Sequence, residues 1–175
     1  MTLSIAGDDG DWLVFSKTAQ SGNILLFRSR TRSPAVQAYA AENPMARVRC
    51  VLAENEVAEG GMPKSTRDLD DFEDSLLGAL QAADAEAALI AVVTGDGNRD
   101  LFFAGRDLDD LRAGIKAATS ADTIKLQFAP VGDKPAFLAM LTLSPEDEQA
   151  AIEGGRVHEV PAPSSGGLLG KLFGR

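Results

Sequence analysis

The chain has 175 residues, 45% of them hydrophobic, and carries 26 acidic against 17 basic side chains, for a formal net charge of −9. That length supports one domain with a real core, and the charge repels nucleic acid unless basic residues gather locally. Cys50 is the single cysteine and His158 the single histidine, which excludes an internal disulfide and a thiolate metal cage within one chain. Aromatic residues make up only 6%, so platforms for stacking bases are scarce.

Residues 1–10 form a polar lead-in with neither a basic start nor an apolar run, so no signal peptide is expected. Trp12-Leu13-Val14-Phe15 predicts a first strand and residues 23–29 a second, joined by a turn at Ser21-Gly22. Residues 33–42 are alanine-rich and predict a weak helix that Asn43-Pro44 must end. From Met45 to Glu54 the pattern has period 2: Ala46, Val48, Cys50 and Leu52 share one face, and Arg47, Arg49 and Val51 the other. A glycine-containing acidic loop follows to Lys64. Residues 67–83 then predict a helix, with Leu69, Phe72, Leu76 and Leu80 as its apolar stripe and Asp70, Asp71 and Asp74 in water.

Residues 87–94 are an almost continuous apolar run, as a buried central strand requires. Gly95-Asp96-Gly97-Asn98 is a hairpin turn returning into a strand through Leu101, Phe102 and Phe103. Asp107 caps a second helix with Leu108, Leu111, Ile115 and Ala118 inward. Residues 123–129 alternate as a strand. Residues 137–143 fit strand or helix equally. Ser144-Pro145 opens a short helix that stops at Gly154-Gly155. The order from Met45 to Ala129 predicts an α+β domain of ferredoxin-like, split βαβ type, with helices on one face of an antiparallel sheet and the N-terminal hairpin extending it. The domain is expected over residues 11–156. A Pro/Ser/Gly linker covers 157–167, and an apolar-basic peptide covers 168–175.

Several of these residues also carry a resemblance. Trp12 opens the first strand, Gly61-Met62-Pro63 forms a loop, and Leu69, Phe72 and Glu73 lie in an acidic helix. Thr94-Gly95-Asp96-Gly97-Asn98-Arg99 leads into Phe102-Phe103, and Leu143-Ser144-Pro145 starts a helix. Across residues 11–150 this ordered set resembles a bacterial family, domain of unknown function 695. At residues 132–137 only Asp133 and Phe137 answer that family's aspartate followed by a large aromatic. The resemblance implies a compact α+β domain without an established activity. It also implies a distant similarity to regulator of ribonuclease activity B, a protein inhibitor of an RNA-degrading enzyme, and so a protein-binding role.

Charge is unevenly spread. Six basic residues (Lys17, Arg28, Arg30, Arg32, Arg47, Arg49) and one acid, Glu42, lie between Ser16 and Arg49, whereas fifteen acids and four bases lie between Val51 and Asp110. Arg28 and Arg30 share one side of their strand, and Arg47 and Arg49 one side of theirs. If they line the sheet face opposite the helices, they form a candidate anionic-partner surface; the competing reading pairs them with the acid-rich half. Leu168, Leu169, Leu172 and Phe173 would form one apolar face if helical, flanked by Lys171 and Arg175. Eight residues do not hold a helix alone, so they would fold on a partner, pack on the domain, touch a membrane surface weakly or stay disordered.

Acidic runs at Asp68-Leu69-Asp70-Asp71 and Asp107-Leu108-Asp109-Asp110 sit at helix starts, where capping accounts for them. No catalytic residue, metal site or cofactor is expected, and Cys50 is expected to be an inert core thiol. The reading is a non-enzymatic cytoplasmic adaptor or regulator with an unknown protein partner, nucleic acid being disfavoured. A carboxylate-based, Mg-dependent hydrolase and an arginine face that binds anions or RNA stay open as alternatives.

Overall fold

The computed structural model describes residues 3–6, 12–120, 124–153 and 159–160. Seven strands form one sheet: β1 (Leu13–Thr18), β2 (Ile24–Ser29), β3 (Met45–Val51), β4 (Ala87–Gly95), β5 (Asn98–Gly105), β6 (Lys125–Pro130) and β7 (Glu159–Val160). Five helices accompany it: α1 (Pro34–Glu42), α2 (Arg67–Ala82), α3 (Leu108–Ala118), α4 (Lys134–Leu141) and α5 (Pro145–Glu153). The spatial order is β6-β3-β5-β4-β2-β1-β7, antiparallel throughout except for the two-residue β7, which runs parallel to β1. Among the described residues no helix is long and apolar enough to cross a membrane.

Side chains on both sheet faces are buried, which explains the unbroken apolar run of β4. Ala88, Ile90, Ala91 and Val93 of β4 and Phe102 and Ala104 of β5 pack with Val36 and Ala40 of α1 and Phe137, Met140 and Leu141 of α4. Leu89, Val92, Leu101 and Phe103 face the other way, against Leu69, Phe72, Leu76 and Leu80 of α2 and Leu111 and Ile115 of α3. Helices on one face only were expected, and this is corrected: α1 and α4 cover the second face. Residues 137–143, ambiguous by pattern, belong mostly to α4. Asp133 caps that helix by accepting from the Ala136 amide at 3.0 Å, and the Phe137 ring stacks on Phe102 at 4.2 Å. Phe137 is therefore a core anchor.

Two local devices set the register. Asp96 (φ 49°) and Gly97 (φ 74°) are the two residues between the paired Gly95 and Asn98, so the β4–β5 turn has the doubly left-handed geometry that matches strand twist. In β4 the pairing slips between Leu89 and Ala91, which puts Ile90 and Ala91 on the same face. The loop after β3 folds back onto the turn: Gly97 donates to the Gly61 carbonyl at 2.8 Å. A side chain at Gly61 would meet the Asp96 amide nitrogen at 2.9 Å, and Gly61 itself has φ +83°, so only glycine fits.

Candidate partner-binding surface

The four candidate arginines do not form one surface. Cross-strand partners share a face, and Arg28 lies opposite Val92, which packs against α2 and α3. Arg47 lies opposite Phe102, which packs against α1 and α4, with Arg49 two residues further on the same side. Arg28 and Arg30 thus project from one face of the sheet, and Arg47 and Arg49 from the other.

On the α2 face Arg30 and Arg99 are buried and Arg28 is half-buried. Arg28 forms an ion pair with Glu73, a buried acid on the inner side of α2, and stacks over Trp12 at 5.1 Å. Arg99, from the start of β5, reaches Asp70 Oδ1 at 2.5 Å, Glu73 Oε2 at 3.5 Å and the Thr94 hydroxyl at 3.2 Å. Burial pushes the Asp70 carboxyl up, but hydrogen bonds from Arg99 and Thr66 and the charges of Arg99 and Arg28 hold it below its ordinary value overall. Asp70 is exposed to water, as expected, and it also closes this cluster from the outside. Arg30 is 2% exposed, and its Nη1 donates to the carbonyls of Ser4 (2.9 Å), Ile5 (3.2 Å) and Leu89 (3.2 Å), the last beside the irregularity in β4. Trp12, Glu73, Thr94 and Arg99, which helped to carry the family resemblance, meet in this one cluster.

On the opposite face the surroundings are more open. Arg49 forks onto Asp100, Nε to Oδ1 at 2.7 Å and Nη2 to Oδ2 at 2.8 Å. That hydrogen-bonded pair raises the Arg49 guanidinium pKa, opposing the effect of burial. Burial lowers that of Arg47, which feels Asp100 favourably and Arg49 unfavourably. Next to them on β6, Lys125 pairs with Val51 and Gln127 with Arg49, both exposed and on the same side. Sequence inspection passed over Lys125 and Gln127 because their alternation was read only as the wet side of a strand. It passed over Arg99 because a single arginine beside a turn carries no pattern.

Elsewhere several titratable groups serve the fold. The Asp107 carboxylate accepts from the Asp109 and Asp110 amides at 2.8 and 3.1 Å, capping α3. The Cys50 thiol lies in the core, where burial pushes its pKa up to about 12 and leaves almost no thiolate at neutral pH. Lys17 occupies an inward register position on β1. Its ammonium donates to the Met140 carbonyl at the end of α4 and lies 5.4 Å from the Phe15 ring centre. Burial lowers its pKa, against the opposing charge of Asp147. The described residues contain no group of three or more His, Cys, Asp or Glu side chains placed to hold one metal ion. Leu168, Leu169, Leu172 and Phe173 lie outside the described residues.

No model of a known protein family matches the chain, and no curated protein matches it. Among solved structures, an amidase of the hydantoinase/carbamoylase family from Burkholderia phymatum aligns with a TM-score of 0.35 and 11% identity. The alignment covers 90% of this chain and 40% of that one.

Proposed function

We propose that the chain is a non-enzymatic adaptor or regulator of the cytoplasm, which binds a protein partner through the Arg47–Arg49 side of the sheet and the apolar-basic peptide at residues 168–175. The observation that carries this reading is the contrast between the faces. Arg30 and Arg99 are buried on internal partners, while at the β3–β6 margin the part-buried Arg47 and Arg49, the latter paired with Asp100, lie beside the exposed Lys125 and Gln127. Among the acids, Asp107 caps α3, and Asp70, Glu73 and Asp100 neutralise arginines.

The same reading takes the stretch from β3 to β6 as a ferredoxin-like split βαβ unit. Its support is the local strand order β6-β3-β5-β4 with α2 and α3 packed together on one face. Membership of the family named domain of unknown function 695 is part of the proposal. Its support is that the Gly61 loop lies against the Asp96–Gly97 turn and that Glu73 pairs with Arg99.

The tail supplies the test. Deleting residues 168–175 is expected to abolish capture of the native partner from cell extract while leaving the melting temperature unchanged. Unchanged capture, or a fall of several degrees in Tm, overturns the tail as a docking peptide.

A further inference from the structure

We propose that α5 is an arm held on the domain by charge and that its docking keeps β7 paired along β1, so that α5 and β7 form a releasable cover for that edge of the sheet. This device goes beyond the adaptor reading and does not rest on it. The chain before α5 is pinned by the core. Lys17 donates to the Met140 carbonyl and the Thr31 hydroxyl to the Leu141 carbonyl at 3.3 Å, while Leu143 is buried with Phe137 and Met140. At Ser144 the support changes. This exposed serine caps α5 by accepting from the Asp147 amide at 3.1 Å, and among the described side chains of α5 none is buried.

Charge reaches back from α5 to the sheet. Arg32, in the turn after β2, contacts Glu148 Oε1 through its Nε at 2.7 Å. Lys17 of β1 is 7% exposed, its ammonium lying 5.4 and 5.8 Å from the ring centres of Phe15 and Phe27, and Asp147 supplies an opposing charge. Lifting α5 would take that charge away from a buried cation, so burial of Lys17 favours the docked arm. The Arg32–Glu148 pair lies nearer the solvent and is the part that salt can loosen. A nine-residue helix does not persist alone in water, so α5 melts when it leaves the domain.

β7 follows α5 in the chain and has only two residues, Glu159 opposite Ser16 and Val160 opposite Lys17. So short a strand adds little stability of its own, and its pairing depends on the chain that delivers it. On the other side of β1, Ala19 donates to the Asn23 carbonyl at 2.8 Å, toward β2. Alternate residues of an antiparallel ladder turn the same way, so the amides of Ser16 and Thr18 face away from β2, toward β7. While β7 is in place these groups are closed to strand addition, and release of α5 reopens them.

The experiment is amide hydrogen exchange by NMR on the full chain, comparing the parent with Arg32→Gln, Glu148→Gln and the double variant. Each single change is expected to speed exchange at Ala150, Ser16 and Thr18 together, by about two- to fivefold. The double variant is expected to go no further than either single one, because both break the same pair. Raising sodium chloride from about 0.05 to about 0.5 M is expected to speed the same amides in the parent and to act less on the double variant. Val92, in the middle of the sheet, is expected to keep its exchange rate throughout. Unchanged exchange at Ala150 in both single variants overturns the charge-held arm, as does a double variant whose effect is the sum of the two. Faster exchange at Ala150 with none at Ser16 and Thr18 overturns the cover, leaving a helix that frays by itself. Equal acceleration at Val92 also overturns it, because the pair would then stabilise the whole domain. None of these results bears on capture of a partner by residues 168–175, which the deletion tests.

Discussion

Arg30 and Arg49 carry the same side chain on opposite faces of one sheet, yet they do different work. Arg30 is buried beneath the N-terminal segment, and its Nη1 donates to three backbone carbonyls. Arg49 is forked onto one carboxylate at a margin where the adjoining strand is wet. A guanidinium with fixed internal partners is structural, because reaching a ligand would leave those partners unsatisfied in a dry place. A cation on an exposed strand gives up only water. Cationic charge marks a binding surface only where burial and internal pairing leave it available, and at the β3–β6 margin the exposed cationic side chain is that of Lys125.

The largest expected effect comes from breaking the enclosed side. Arg30→Ala removes a buried cation and strands the carbonyls of Ser4, Ile5 and Leu89, a loss of about 3 kcal/mol. A urea-unfolding midpoint equal to that of the parent protein would show that the N-terminal segment is not pinned by Arg30. A smaller, pH-dependent effect belongs to Asp70. Its folded pKa lies below the unfolded value of about 3.9, so its stabilisation is present above about pH 4 and disappears as pH falls through the folded value. On acidification the parent protein is expected to lose stability more steeply than Asp70→Asn, measured by urea midpoints at neutral and acid pH. Parallel pH curves would mean that Arg99 gains nothing from this carboxylate. The smallest effect sharpens the open side: Lys125→Glu with Gln127→Glu is expected to change folding stability by less than about 0.5 kcal/mol, checked in the same titration. A larger loss would place these side chains among the structural cations.

Much of the secondary structure was legible because its signals are local. Period-2 alternation located β3 and β6, the apolar run located β4, and the serine or aspartate caps at Ser33, Asp107 and Ser144 stand where the helices begin. The α4 segment was ambiguous because Phe137, Leu138, Met140 and Leu141 are apolar at both helical and strand spacing; Asp133 and Pro135 were the local signals that favoured a helix. The arginine margin was half legible. The charge bias toward residues 16–49 is visible in one dimension, but the face taken by each strand is not.

The sequence by itself determined the element order from β1 to β6, the turn at Asp96–Gly97 and the alternation of β3 and β6, because these depend on backbone preferences and on burial over a few neighbouring residues. Tertiary structure alone decided that α1 and α4 cover the second face, that Arg28 meets Glu73 some 45 residues away, and that β6 is left as an outer strand. Those outcomes depend on which strands pair and which face each turns toward a helix. Long-range packing sets both, and no short window of residues encodes it.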